Sequence, residues 1–320
     1  MKTAIIVATH RRPDAVGRLL RNLGACDLPP DLEVLLVENG PKCGVDQVAR
    51  AESLEDRVRY AYRPVGNKSV ALNHGLGQTQ AEFVIFLDDD VEAPPGLVSA
   101  YIDAALRHGP GTFFGGGLAP DAEAPCPPHL LPYLPRSVRG WRFSDREVEI
   151  PREAFDFFFG ANWAAFRADL EGAGLFSVDL GVTQSAHSPV GEETELQHRL
   201  LARGGRAVYL PDATIRHPTP REHHTARWLL RRRFRLGVAE WTLRPKPAAE
   251  RRLGPFPLWV LRTLAARKLV SLLALAGGAS IAVRIEHRME AAHLAGLLWG
   301  AWLARRRAAP RPPPDQALAS

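Results

Sequence analysis

Hydrophobic positions in the first two-thirds of the chain follow two periods. Thr3–Thr9 (TAIIVAT), Leu32–Val37 (LEVLLV) and Phe83–Leu87 (FVIFL) are short apolar runs bounded by turn residues. Runs this short and this continuous predict strands buried on both faces, as in a parallel sheet. After Pro13, apolar residues recur at Val16, Leu19, Leu20 and Leu23, which predicts a helix through Leu23. Val58–Tyr62 predicts a short third strand. GNKSVALNHGLGQT predicts a turn running into a short helix, and a further helix is predicted from about Pro95 to His108. Strands alternating with helices imply an α/β fold with a mostly parallel sheet covered on both faces.

Farther on the pattern loosens. Thr112–Gly117 predicts a strand, and Pro120–Pro135, with six prolines, an irregular excursion. Phe157–Phe166 resumes the core. Gly191–Arg203 predicts a helix stopped by Gly204-Gly205. Ala207–Leu210 and Ala213–Arg216 predict two short strands leading to His217-Pro218. There is no internal repeat.

Beyond Arg221 the composition changes. Arg227, Arg231, Arg232, Arg233 and Arg235 surround Trp228, Leu229, Leu230 and Phe234. Leu269–Val283 is free of charge for 15 residues and Ala291–Ala304 for 14. A helix of that length is about 22 Å long, short of the roughly 30 Å hydrocarbon core, so neither is expected to span a bilayer. Basic flanks, with Trp299 and Trp302 near one end, fit helices lying in an anionic membrane interface. The competing expectation is a packed helical hairpin or a dimer surface. The expected organisation is a catalytic domain over 1–225, a helical region over 226–308 and a disordered tail over 309–320.

Charge sharpens that division. The net charge of +6 over 320 residues hides −10 in residues 1–198 and +16 in 199–320. The basic part implies an anionic partner: nucleic acid, an acidic membrane surface or a polyphosphate. No nucleic-acid module is recognisable, and nucleic acid is not expected. Cys26, Cys43 and Cys126 have no metal-ligand spacing and are odd in number, which points to a reducing compartment. The apolar part of the N-terminus is too short for a signal peptide, so a cytoplasmic location is expected.

The chemistry concentrates where strands end. Phe83–Leu87 delivers Asp88, Asp89 and Asp90, followed by Pro94 and Pro95. Three adjacent carboxylates repel one another. A hard divalent cation carrying a phosphorylated substrate resolves the repulsion, and a solvated acidic turn is the plainer alternative. Thr9, Arg11 and Glu38 also fall at carboxyl ends of predicted strands, the side where such sheets bind ligands. Lys68 lies in the turn before the next helix. The acids of GEETEL stand at a helix start, where they complement the dipole.

In their order and spacing, IIVATHRRP, LLVENG, GNKSVALNHGLGQTQAEFVIFLDDD, FFFGANWAAFRADLEGAGLF, GEETELQHRLLARGG and VYLPDATIRH resemble glycosyltransferase family 2 with the GT-A fold. The resemblance covers roughly residues 3–220. It implies a metal-dependent, inverting transfer of sugar from a nucleotide-diphosphate-sugar to a hydroxyl acceptor, a saccharide or a lipid-linked saccharide. The family's DxD motif maps onto Asp88-Asp89-Asp90. Asp90 is then the ligand of Mg²⁺ or Mn²⁺, Asp88 lies toward the ribose or the metal's water shell, and Asp89 belongs to the donor-binding set with its individual role, binding or structural, left open. His217 matches a histidine that adds a metal or phosphate contact, and imidazole suits Mn²⁺ better. Glu38 matches an acid that bonds base or ribose, and Lys68 is placed to reach base or phosphate with Thr9 and Arg11. Glu193 occupies the general-base position, where the family usually has Asp; Glu192 and Glu195 compete for it. Phe157–Phe159, Asn162 and Trp163 either line the acceptor side or pack the core.

The competing enzyme is a nucleotidyltransferase on a similar sheet, but VATHRRP lacks its Gly-rich phosphate loop. A non-catalytic membrane-associated nucleotide-sugar-binding protein is the remaining alternative, against which the intact acids and His217 argue.

Overall fold

The computed structural model describes residues 1–308 apart from Ser53, Glu55, Gln184, Ala186 and 245–249; the expected disordered tail lies outside the described residues. The chain divides into two compact units, Met1–Thr225 and the residues from Ala226 on.

The first unit is built on an eight-stranded sheet. Its first half alternates strands and helices: β1 (Thr3–Thr9), α1 (Pro13–Gly24), β2 (Leu32–Asn39), α2 (Val45–Ala51), β3 (Val58–Arg63), α3 (Lys68–Gln78), β4 (Phe83–Asp88) and α4 (Leu97–His108). The second half holds β5 (Thr112–Ala122), α5 (Arg136–Arg139), β6 (Val148–Ile150), β7 (Asn162–Phe166), α6 (Arg167–Gly172), α7 (Glu192–Ala202) and β8 (Arg206–Thr219). The strand order is β3-β2-β1-β4-β7-β5-β8-β6. Pairings among β1 to β4, and that of β5 with β8, are parallel; β7 and β6 pair antiparallel.

Alternation along each strand feeds two apolar layers. Ile5 and Val7 face Val16, Leu19, Leu20 and Tyr101 on one side. Ala4 and Ile6 face Leu72, Leu76, Phe86 and Trp163 on the other. A sheet covered on both faces explains why β1, β2 and β4 read as unbroken apolar runs. The helices start where the chain chemistry says: α1 has Pro13 in its first turn, and the Asn67 side chain accepts from Val70 N across 3.1 Å to cap α3.

Two local expectations change. Ala207–Leu210 and Ala213–Arg216 belong to one strand, β8, and the break between them is a register shift: from the Gly116–Leu210 pair to the Leu118–Ile215 pair β5 advances past Gly117 alone while β8 advances past 211–214. A Cβ on Gly116 would lie 1.8 Å from the Ala213 carbonyl oxygen, so only glycine allows that approach. β5 in turn runs on to Ala122, past Pro120, before the proline-rich excursion.

The second unit contains α8 (Ala226–Leu243), a two-stranded ribbon (Arg252–Leu253 with Phe256–Pro257), α9 (Leu258–Ala276) and α10 (Ile281–Ala308). Helices α8 and α10 touch at glycines: a Cβ on Gly237 would meet the His293 carbonyl oxygen at 2.1 Å, and one on Gly296 the Phe234 carbonyl oxygen at 2.0 Å. Trp241, Val260, Leu294, Leu297 and Ala301 form the buried cluster. The charge-free segment Ala291–Ala304 is thus a packing element of this unit. No described helix is long and apolar enough to cross a membrane.

Candidate active site

Strand register brings the acids together. Thr9 pairs with Glu38 across β1 and β2, and Ala8 pairs with Asp88 across β1 and β4. Asp89 and Asp90 follow in the turn after β4. Glu92 and Arg216 then exchange backbone hydrogen bonds, each 2.9 Å, which carries His217 of β8 to the acidic turn. His217 Nε2 stands 3.7 Å from Asp90 Oδ1.

Each carboxylate has its own environment. The Thr9 hydroxyl donates to Asp89 Oδ2 across 2.7 Å, and the Arg12 guanidinium donates to Asp89 Oδ1 (3.1 Å) and Asp90 Oδ2 (2.6 Å). Burial pushes the Asp89 carboxyl up to about 6 against the pull of Arg12. Thr9 therefore holds the acidic turn. Arg12 was not among the sequence candidates; Arg11 was. Arg11 takes a left-handed conformation (φ 56) and is exposed, and it is its neighbour that meets the acids. Charge alone does not distinguish adjacent arginines.

Lys68 begins α3. Its ammonium donates to Asp88 Oδ1 across 2.6 Å and lies 3.6 Å from Glu192 Oε1. Burial works against that charge, but Asp88, then Glu192 and Glu193, outweigh it and hold the group above its ordinary value. Burial alone would also raise Asp88; Lys68 outweighs it, and Asp88 sits below the ordinary range. The start of α3 is tied to the segment before α7: Lys68 N donates to the Val182 carbonyl (3.0 Å) and Ser69 Oγ to that of Leu180 (2.9 Å).

Glu193 lies in the first turn of α7, after left-handed Gly191 (φ 95). It packs against Gly160, where an added Cβ would sit 3.2 Å from the carboxyl carbon. One turn on, the Gln197 amide accepts from Phe158 N (2.8 Å) and donates to Phe158 O (3.0 Å), fixing α7 to the loop that carries Gly160. Burial, then neighbouring Glu192, pushes the Glu193 carboxyl up to about 8. Glu195 is drawn away by Arg199 at 2.6 Å. Glu192 is buried beside Lys68. Gln197 carries no sequence signal beyond sitting four residues after Glu193, on the same helix face.

Glu38 is fully buried. It accepts from the Tyr60 hydroxyl (2.6 Å) and from Cys43 N (2.8 Å), so both oxygens are engaged by the chain itself. The aromatic run resolves toward packing: Trp163 is buried and stacks on Phe86 at 4.8 Å, Phe158 is buried, and Asn162 is buried with its carbonyl oxygen accepting from Tyr101 at 2.8 Å. These three do not line an acceptor side.

The donor set for a cation is sparse. Among the described residues no cluster of three or more His, Cys, Asp or Glu forms a cage. Asp90 Oδ1 and His217 Nε2, 3.7 Å apart, are near enough to share one ion: adjacent ligands about 2.1 Å from an octahedral ion lie about 3.0 Å apart, so side-chain closure of about 0.7 Å would bring both into one shell. His217 Nδ1 is buried without a hydrogen-bond partner. Two protein ligands with substrate phosphates completing the shell is an ordinary magnesium or manganese arrangement.

The model of the family described as "Glycosyl transferase family 2" matches residues 4–168, about half of the chain. The chain belongs to glycosyl transferase family 2. The matched span includes Thr9, Glu38, Lys68 and the three aspartates, and ends before Glu193 and His217. Among curated proteins, the succinoglycan biosynthesis protein ExoM of Rhizobium meliloti is 26% identical over 243 residues, 72% of this chain and 71% of that protein. A GalNAc(5)-diNAcBac-PP-undecaprenol beta-1,3-glucosyltransferase of Campylobacter jejuni is 30% identical over 111 residues, 32% of this chain and 34% of that one. Among solved structures, the mannosyltransferase PcManGT from Pyrobaculum calidifontis, in complex with GDP-Man and Mn²⁺, has a TM-score of 0.58 at 20% identity, covering 95% of this chain and 87% of that one. S. aureus TarS 1–349 in complex with UDP-GlcNAc has a TM-score of 0.56 at 14% identity, covering 96% and 92%. These likenesses place the sheet in the GT-A fold, and the family makes the protein a glycosyltransferase.

Proposed function

We propose that this glycosyltransferase is a metal-dependent, inverting enzyme that moves a sugar from a nucleotide-diphosphate-sugar to a hydroxyl on a lipid-linked saccharide, in polysaccharide or glycoconjugate assembly. The observation that carries the reading is the convergence of Asp88–Asp90, Lys68, His217 and a high-pKa Glu193 at the carboxyl ends of the strands. The catalytic part is the first unit. The relatives' names support saccharide assembly and an undecaprenyl-diphosphate-linked acceptor, and one fold neighbour was solved with GDP-Man and Mn²⁺, another with UDP-GlcNAc. The basic composition of the second unit supports a location at an anionic surface, the cytoplasmic face of a membrane.

In this reading Asp90 and His217 would hold Mg²⁺ or Mn²⁺, and the imidazole ligand would favour Mn²⁺. When bound, the cation offsets charge on the departing nucleoside diphosphate. The residues do the rest. Asp88 faces the ribose side, oriented by Lys68. Arg12 and Thr9 keep the acidic turn in one shape. The acceptor hydroxyl gives its proton to Glu193 as its oxygen bonds the anomeric carbon. The bond from that carbon to the diphosphate oxygen breaks on the opposite face, and the anomeric centre inverts. Glu38 acts through Cys43 and Tyr60, shaping the base pocket.

The test is a panel of UDP-, GDP- and dTDP-sugars scored by thermal stabilisation with and without Mn²⁺ or Mg²⁺. One nucleotide class is expected to raise the melting temperature only when metal is present. Absence of metal-dependent stabilisation across the panel would contradict the reading.

A further inference from the structure

The hairpin formed by α9 and α10 ends in a tip unlike the rest of the second unit. From Leu269 to Val283 there is no charged residue. Leu269, Leu272, Leu273 and Leu275 are 58%, 65%, 62% and 58% exposed, with Ile281 at 51%. Leu269, Leu272 and Leu273 share one face, Leu275 lies on one flank of it and Val270, 39% exposed, on the other, so exposed apolar residues cover about 220° of the helix circumference. A partner protein covers a narrower face of a helix, at i, i+3, i+4 spacing. An apolar arc this wide matches a solvent that reaches it from several sides, and hydrocarbon is such a solvent.

The backbone at the tip is closed. Gly277 N donates to the Leu273 carbonyl (2.8 Å), Gly278 N to that of Leu275 (3.4 Å) and Ala279 N to that of Ala274 (2.9 Å). Ser280 then caps α10, its hydroxyl accepting from Val283 N at 3.4 Å and its carbonyl from Arg284 N at 3.2 Å. A turn whose N–H groups are internally paired enters a medium of low polarity without leaving donors bare.

At the base of the tip the chemistry reverses. Arg267 bridges to Glu290 across 3.0 Å, tying the two helices together. Lys268 and Arg288 are exposed there, with Arg262 a turn and a half below Lys268, Arg284 beside the tip, and exposed Glu286 as the opposing charge. A net-positive collar below an apolar tip is complementary to an anionic headgroup layer above hydrocarbon. The tip of α9, eight residues from Leu269 to Ala276, rises about 12 Å. That is close to half of a roughly 30 Å hydrocarbon core.

We infer that the α9–α10 tip, residues 269–283, is a wedge that enters one leaflet of an anionic bilayer, with Lys268, Arg284 and Arg288 seated among the headgroups. This deepens the membrane placement proposed above and narrows it. Ala291–Ala304 packs within the unit, and the tip alone enters lipid. It does not depend on sugar transfer, because vesicle binding is measured without donor or acceptor.

The experiment is flotation of the full chain with phosphatidylcholine vesicles containing phosphatidylglycerol, and with phosphatidylcholine alone. The wild type is expected to float with the anionic vesicles. Leu272→Glu/Leu273→Glu is expected to reduce partitioning by roughly a hundredfold or more, with an unchanged melting temperature since both side chains are exposed. Lys268→Glu/Arg288→Glu is expected to erase the preference for anionic vesicles. A tryptophan placed at Leu273 should shift to the blue on binding and be quenched by lipids brominated in the acyl chain. Undiminished flotation of the Leu272/Leu273 variant overturns the inference. So does a wild type that stays in solution with both vesicle types, including one that instead self-associates through these leucines. Loss of sugar transfer with intact flotation would count against the catalytic reading alone.

Discussion

Lys68 donates to Asp88 across 2.6 Å and stands 3.6 Å from Glu192, so one ammonium joins the donor-side acids to the helix that carries Glu193. The partners are mostly shielded, with Lys68 20% and Asp88 29% exposed at the side chain. Lys68→Met leaves Asp88 facing Glu192 and Glu193 without a counter-charge. Chemical denaturation should show a loss of about 1–3 kcal/mol. The apparent pKa of Glu193, the proposed base, should also rise, moving the pH–rate profile to higher pH.

Glu193 has a carboxyl raised from 4.5 to about 8. The folded chain binds that proton more tightly than the unfolded chain, so its stabilisation is full below about 4.5 and is lost as pH rises through 8. Glu193→Gln removes this loss. The melting temperature of the variant relative to wild type should therefore climb between mildly acidic and alkaline pH, which calorimetry can read. Because the base must be ionised, wild-type kcat/KM should rise toward about pH 8 and then level.

Gly160 lets Glu193 sit where it does. Alanine there meets the Glu193 carboxyl carbon at 3.2 Å, tight enough to displace the acid by a few tenths of an ångström. Gly160→Ala is expected to fold normally by circular dichroism while turnover falls roughly tenfold or more, since small misplacements of a reacting group are costly.

Much of this was legible before the structure. The apolar runs of β1, β2 and β4 named the sheet because both faces are covered, and the strand ends located Thr9, Glu38 and Asp88 together. Arg12 was missed because the left-handed turn at Arg11 decides which of two arginines faces the acids, and a turn conformation at a non-glycine residue leaves no mark in the sequence. Gln197 was missed because its role is a pair of backbone hydrogen bonds to Phe158, far away in the chain. The aromatic run was ambiguous for a physical reason: a ring that packs a core and a ring that stacks a sugar have the same composition. The apolar stretches of the second unit were alike in sequence, and burial separates them, with Leu297 and Ala301 inside and Leu272 and Leu273 outside.

Metal dependence should follow the Asp90–His217 pair. Treatment with a chelator is expected to abolish donor-induced stabilisation, and added Mn²⁺ to restore it. His217→Ala should raise the Mn²⁺ concentration for half-maximal stabilisation roughly tenfold or more, with a smaller change for Mg²⁺, because the lost ligand is an imidazole. An unchanged Mn²⁺ requirement would remove His217 from the coordination shell.

In the proposed mechanism Glu193 deprotonates the acceptor in a single inverting step. Its most direct test follows product formation from a matched nucleotide-sugar and a polyprenyl-diphosphate-linked acceptor, with the new linkage assigned by NMR, for wild type and Glu193→Gln at saturating donor. The expected result is inversion by the wild type and a loss of at least about a hundredfold in turnover for the variant, with donor binding retained. Wild-type turnover by Glu193→Gln, or retention of configuration in the product, would contradict it.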